Sequence, residues 1–201
     1  MTRLETAGLM EYFKEAVENA TSRLRVDISE ETEFYVVDLL FRYAHVKALA
    51  ARDLPAETGS FAELFLKSRK ARGNRRALIL KYIGDTTLFL TGYFSDSFKR
   101  SVVDVEYYAS LGQASYQTLL DLLAARIVQW KLEEVFDELS EKFVQIMDVL
   151  AEVAAADGPQ RAVDLLRLYE RWLRTRSRRD EMLLRQQGII PHEVGSPKIL
   201  H

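Results

Sequence analysis

Asp85, Asp96, Arg100 and Asp104 stand within one stretch of twenty residues, and Tyr93, Ser97, Tyr107 and Tyr108 fall between them or just after. Carboxylates, an arginine, a serine and phenols together could line a polar pocket, with acceptors facing donors. The same groups could form a buried network, because a carboxylate taken out of water must be paired or hydrogen-bonded. In the pocket reading, Asp85 and Asp96 face Arg100 and the tyrosines. In the network reading, the cluster fixes the crossing of two buried helices, with Asp96 and Asp104 as N-caps. Structural ion networks use these residue types too, so the network reading is preferred.

Other chemistry is sparse. There are no cysteines, which removes disulfides, thiol nucleophiles and Cys-ligated metal sites. A di-iron bundle needs Glu-x-x-His pairs, and none is present. Of the three histidines, His192 and His201 are in the C-terminal tail. His45 lies in an apolar helix and is read as a packed histidine rather than a haem ligand. Ser95, Ser97 and Ser101 have aspartates nearby but no histidine, and no G-x-S-x-G elbow or P-loop occurs. No catalytic residue, metal ligand or cofactor is therefore expected. Two basic stretches could follow a phosphate backbone: Lys67–Arg76, and the last helix with Arg174, Arg176, Arg178 and Arg179. Acids are interleaved in the second, and the 130–152 segment is acidic, so charge pairing within or between subunits is preferred over nucleic acid.

These groups need helices to place them. Ser29 followed by Glu30, Glu31 and Glu33 predicts an N-cap with acids in the first turn. Ser60-Phe61-Ala62-Glu63 predicts a capping box and a short helix. Gly73-Asn74 predicts a turn, with Asn74 capping a central helix over 75–93. That helix is almost uncharged: only Lys81 and Asp85 interrupt the run from Ala77 to Phe94. Tyr116, Leu120, Leu123, Ile127 and Trp130 repeat at helical spacing, as do Leu132, Phe136, Leu139, Phe143, Ile146, Leu150 and Val153. The second set reads as a heptad seam with an acidic outer face, suited to bundle packing or to dimerisation. Asp157-Gly158-Pro159 separates it from a last helix that should run to Gly188. No strand pattern or internal repeat is seen. The fold class is all-α: about seven helices in one domain over 1–188, around the central helix, with a tail over 189–201.

The run GDTTLFLTGYFSDSFKRSVVDVEYY, continuing to Tyr116, resembles a GDxxLFxxG(Y/F)FxDSxxRxxVDVxYY-type motif of an uncharacterised family of bacterial all-α proteins. Gly84, Asp85, Leu88, Phe89, Gly92, Tyr93, Phe94, Asp96, Ser97, Arg100, Val103, Asp104, Val105, Tyr107 and Tyr108 carry the likeness, with Gly112 and Tyr116 beyond. The resemblance implies that this stretch matters and brings no activity, cofactor or partner with it.

With 201 residues, 29% charged and 48% hydrophobic, the chain suits a soluble globular protein. A net charge of −2 gives no global pull toward nucleic acid or membrane. No secretory signal is read at the N-terminus, and a cytoplasmic location is expected. The favoured function is a non-enzymatic interaction, scaffold or regulatory protein, homodimeric, with a further protein partner possible in principle. The alternatives are a small-molecule binder or enzyme with its pocket at residues 85–108, and then nucleic-acid binding through the basic C-terminal helix.

Overall fold

The computed structural model describes residues 3–50, 61–93, 102–157 and 165–186. Among them are nine helices and no strand: α1 (Arg3–Leu24), α2 (Glu30–Ala50), α3 (Phe61–Ser68), α4 (Gly73–Tyr93), α5 (Val102–Ala124), α6 (Glu133–Glu141), α7 (Phe143–Asp157), α8 (Leu165–Thr175) and α9 (Arg178–Gln186). The expected all-α architecture is present. None of these helices is long and apolar enough to cross a membrane.

α4 is the central element. Its residues from Ile83 to Phe89 are all buried. α5 and α7 pack along it, and α2 and α3 also rest on it. Two glycines allow the close approach of α5. A Cβ on Gly84 would collide with the Tyr116 ring, 2.7 Å from Cδ1, and one on Gly112 would collide with Thr87 and lie 2.5 Å from Cζ of Phe143. Thr87 and Thr91 are fully buried. Each donates its hydroxyl to a carbonyl one turn back, Ile83 O at 2.8 Å and Thr87 O at 2.7 Å, so burial leaves neither hydroxyl unpaired.

The starts of α2 and α3 follow the sequence, and those of α4 and α5 differ from it. α2 begins at Glu30, and Ser29 Oγ accepts from the Thr32 N–H at 3.2 Å, as an N-cap should. α3 begins at Phe61; its capping residue Ser60 lies outside the described residues. α4 begins at Gly73, whose φ of +52° is left-handed, so Asn74 is inside the helix rather than its cap. Asp104 is likewise inside α5 and does not cap it.

Stops differ more. The spacing from Tyr116 to Trp130 predicts a helix that continues, but Arg126 adopts φ +53° and α5 ends at Ala124. Ile127 is left 55% exposed. The heptad seam is broken at Lys142 (φ −100°, ψ 23°) into α6 and α7. Lys142 Nζ there donates to Glu138 Oε1 at 2.8 Å and to the Asp27 carbonyl at 2.5 Å. The seam residues Phe136, Leu139, Phe143, Ile146, Leu150 and Val153 are all buried in the main core. The periodicity thus serves packing within the chain. The last helix breaks at Arg176 (φ +54°), and Ser177 Oγ accepts from the Asp180 N–H at 3.0 Å to start α9. Leu168, Trp172 and Leu184 join α8 to α9 in a second, smaller cluster. Gly188 and the expected tail lie outside the described residues.

Candidate functional site

Asp85 enters the core on α4 and is only 2% exposed. Burying an ionised carboxylate is costly unless donors replace its water. Four do so. Oδ1 accepts from the Tyr35 hydroxyl at 2.5 Å and the Tyr116 hydroxyl at 2.9 Å. Oδ2 accepts from Lys81 Nζ at 2.6 Å and Arg42 Nη1 at 3.1 Å.

Each donor arrives for a local reason. Lys81 is one turn before Asp85 on the same helix, the spacing at which side chains meet. Tyr35 and Arg42 are two turns apart on α2 and so share a face. Tyr116 comes from α5 through the gap left by Gly84. Asp85 therefore ties α2, α4 and α5 together. Arg42 Nε also donates to Asp38 Oδ2 at 2.7 Å. Lys81 Nζ lies 5.0 Å and Arg42 Cζ 6.0 Å from the Tyr35 ring centroid, a cation–π arrangement. Next along, the Tyr43 and Thr86 hydroxyls bond at 2.6 Å. The Tyr43 ring stacks on Phe89 at 4.4 Å, and Phe89 stacks on Tyr93 at 5.3 Å.

The electrostatics suit a clamp. Lys81 and Arg42 balance Asp85 and Asp38. Burial pushes the Tyr35 and Tyr116 phenols well above their ordinary range, and the charge of Asp85 adds to it, so both remain donors. Burial works against the Arg42 charge, but Asp85 and Asp38 outweigh it and hold the guanidinium protonated. Tyr43 is pushed up to about 12, chiefly by burial. None of these three phenols can trade protons near neutral pH. One donor is left over: Arg42 Nη2 is buried with no hydrogen-bond partner among the described residues.

The sequence-predicted cluster is only partly assembled in the described residues. Asp85 is at the centre. Tyr93 is at the end of the aromatic stack. Tyr107 is exposed and meets Tyr108 edge-on at 5.3 Å; Tyr108 meets Phe61 in the same way at 5.9 Å. Asp96, Ser97 and Arg100 lie outside the described residues, as do the side chains of Asp104 and His45. Sequence reasoning missed Tyr35, Arg42 and Lys81 as partners of Asp85. The i,i+4 spacing of Lys81 was a usable signal; the α2 pair had none, because only packing brings it there.

A second buried carboxylate, Asp148 on α7, meets the start of α9. It accepts from Ser177 Oγ at 2.7 Å and the Arg179 N–H at 3.3 Å. Burial raises it to about 6, with the charge of Asp180 adding and the Ser177 and Arg179 contacts opposing. Asp180, also buried, is held by a bidentate pair from Arg171, with Nε at 2.6 Å from Oδ2.

The C-terminal arginines proposed as a basic surface all contact the chain itself. Arg174 pairs with Glu106 at 3.8 Å, and Arg179 with Glu152 at 3.3 Å. Arg176 lies 4.7 Å over the Trp172 ring, and Arg178 Nη1 donates to the Arg25 carbonyl at 3.3 Å. Among the described residues, no group of His, Cys, Asp and Glu could hold a metal. A groove of about 440 Å³ opens at the α1–α2 turn, lined by Thr21, Arg25, Val26, Asp27, Ile28 and Glu33 among others.

Compared with known proteins, the chain matches no family model, no curated protein and no solved structure.

Proposed function

We propose that this chain is a non-enzymatic helical interaction protein, of scaffold or regulatory type, that works as a homodimer. The observation that carries the reading is a contrast. Asp85, the central polar group of the core, is fully engaged by its own chain, whereas the α3–α4 hairpin presents exposed Leu66, Leu78 and Tyr82 beside a dense run of cations. Cations without an ion pair among the described residues, beside exposed apolar area on one element, favour an external contact. A bacterial, cytoplasmic setting belongs to the same reading, the first part supported by the motif resemblance. Sedimentation equilibrium tests the dimer: a concentration-dependent dimer is expected, and a monomer from micromolar to submillimolar concentration overturns it.

A second reading is favoured by the buried, unpartnered Nη2 of Arg42. It makes the Asp85 centre the floor of a small-molecule site whose ligand supplies the missing acceptor. Native mass spectrometry tests it. A bound molecule lost in a folded Arg42→Met variant supports the site; a ligand-free protein removes it. Nucleic-acid binding through Arg174–Arg179 is less favoured, because those arginines already have contacts within the chain.

A further inference from the structure

Two surfaces of this chain carry an excess of opposite charge among the described residues. The first is the α3–α4 hairpin. Lys67, Arg69, Lys70, Arg72, Arg75 and Arg76 occupy ten residues, and no acid occurs from 64 to 84. None of the six forms an ion pair among the described residues. Arg75 and Arg76 stand in the first turn of α4, where the helix dipole is already positive. Arg76 Nε is buried with no hydrogen-bond partner among the described residues. From Arg75, the stripe at i+3 and i+7 is Leu78, 57% exposed, and Tyr82, 49% exposed.

The second surface is the start of α2. Glu30, Glu31 and Glu33 fill its first turn. Phe34, next to them, is 67% exposed, more than any other large hydrophobic side chain described. Glu18 of α1 faces Glu33. Partial burial raises the Glu33 carboxyl, and repulsion from Glu18 and Glu30 adds to that, against Lys14. Lys14 is itself 3.7 Å from Glu18. Asp27 and Glu33 border the groove at the α1–α2 turn, whose apolar lining comes from Val26 and Ile28.

The two helices that carry these surfaces, α2 and α4, meet where Lys81 Nζ lies 5.0 Å from the Tyr35 ring centroid. A two-fold axis between them would lay each surface on its opposite in a second copy, making the contact twice.

We infer that the cationic α3–α4 hairpin of one copy docks on the acidic start of α2 in a second copy, with Leu78 and Tyr82 packed against Phe34. This rests on the homodimer reading and names its interface. The partner is a second copy because both complementary halves are present in one chain, and neither the six cations nor Glu30, Glu31 and Glu33 form an ion pair among the described residues.

Charge reversal tests it in sedimentation velocity, with circular dichroism confirming the fold. Arg72→Glu/Arg75→Glu reverses one surface and Glu30→Lys/Glu31→Lys the other; all four side chains are exposed. Each double variant should weaken association about tenfold or more, and added salt should weaken the wild type. Mixed together, the two variants should associate again, because every contact in the mixed pair is complementary. Phe34→Ser should weaken the dimer without changing its salt dependence. A wild-type monomer at all concentrations overturns both the dimer and this interface. A dimer indifferent to salt and to both reversals keeps the dimer but overturns the interface. Loss of association in each variant without rescue in the mixture also overturns it. So does a monomer that binds anionic vesicles or RNA through the six cations.

Discussion

Asp85 and Asp148 are both buried aspartates at helix junctions, and they are held by different means. Asp85 has two phenols and two cations. Asp148 has a hydroxyl and a backbone N–H, with no cation bonded to it among the described residues; Asp180 adds like charge nearby, and the Arg179 charge opposes it only in part. Cations replace the lost hydration of a carboxylate far better than neutral donors do. Asp85 therefore anchors three helices, whereas Asp148 is driven up to about 6 and becomes a group that titrates near neutrality.

The largest difference should appear on removing each carboxylate. Asp85→Ala leaves two cations and two phenols facing a gap, and should cost ~3 kcal/mol in urea unfolding at pH 7. Asp148→Ala loses a hydroxyl contact and one to the α9 backbone but also relieves a penalised charge, so ~1 kcal/mol is expected. Equal losses would mean that the cations do not set the two sites apart.

The pH dependence comes next. Asp148 rises from 3.8 unfolded to about 6 folded, so the folded state holds its proton more tightly. Its contribution is fully present below the unfolded value and is lost as pH rises through the folded one. Stability from this group should thus increase by ~2 kcal/mol on acidification from pH 7 toward pH 4. Glu138 has the opposite sign. Burial alone would raise it, but contacts from Lys142, Thr32 and Ser29 carry it down to about 2, so its contribution is lost as pH falls from 4.5. Thermal unfolding across pH should show Asp148→Asn flattening the upper limb and Glu138→Gln the lower. An unchanged upper limb in Asp148→Asn would contradict the assignment.

Removing single donors gives smaller effects. Tyr116→Phe deletes one of four donors to Asp85 and should cost ~1–2 kcal/mol. Ser177→Ala deletes a donor to Asp148 and the cap of α9, and should cost ~1 kcal/mol. Smallest is Lys81→Met, at ~0.5–1 kcal/mol, because Lys81 is partly exposed and Arg42 remains on the same carboxylate oxygen. A loss from Lys81→Met as large as from Asp85→Ala would show that Arg42 does not compensate.

The starts of α2 and α3 were legible in the chain itself. Ser29 with its acids and Phe61 with Glu63 are local signals, because a cap is made by residues within one turn of it. The identity of α4 as the buried element was legible too, from its near lack of charge. Stops were not. Lys142 breaks the seam while its side chain bonds to Asp27, a residue 115 positions away, and Arg126 and Arg176 enter left-handed conformations that no residue type announces. The centrality of Asp85 could be read from one charged residue in an apolar run. Its partners on α2 could not, since Tyr35 and Arg42 are 50 and 43 residues away in sequence. Composition likewise showed two basic stretches but not their difference. Only the fold brings Glu106 and Glu152 to the C-terminal arginines and leaves the α3–α4 cations without an ion pair among the described residues. Local chemistry decides where a helix begins and what it wants to bury; which charges meet depends on how distant segments pack, and that belongs to the tertiary structure.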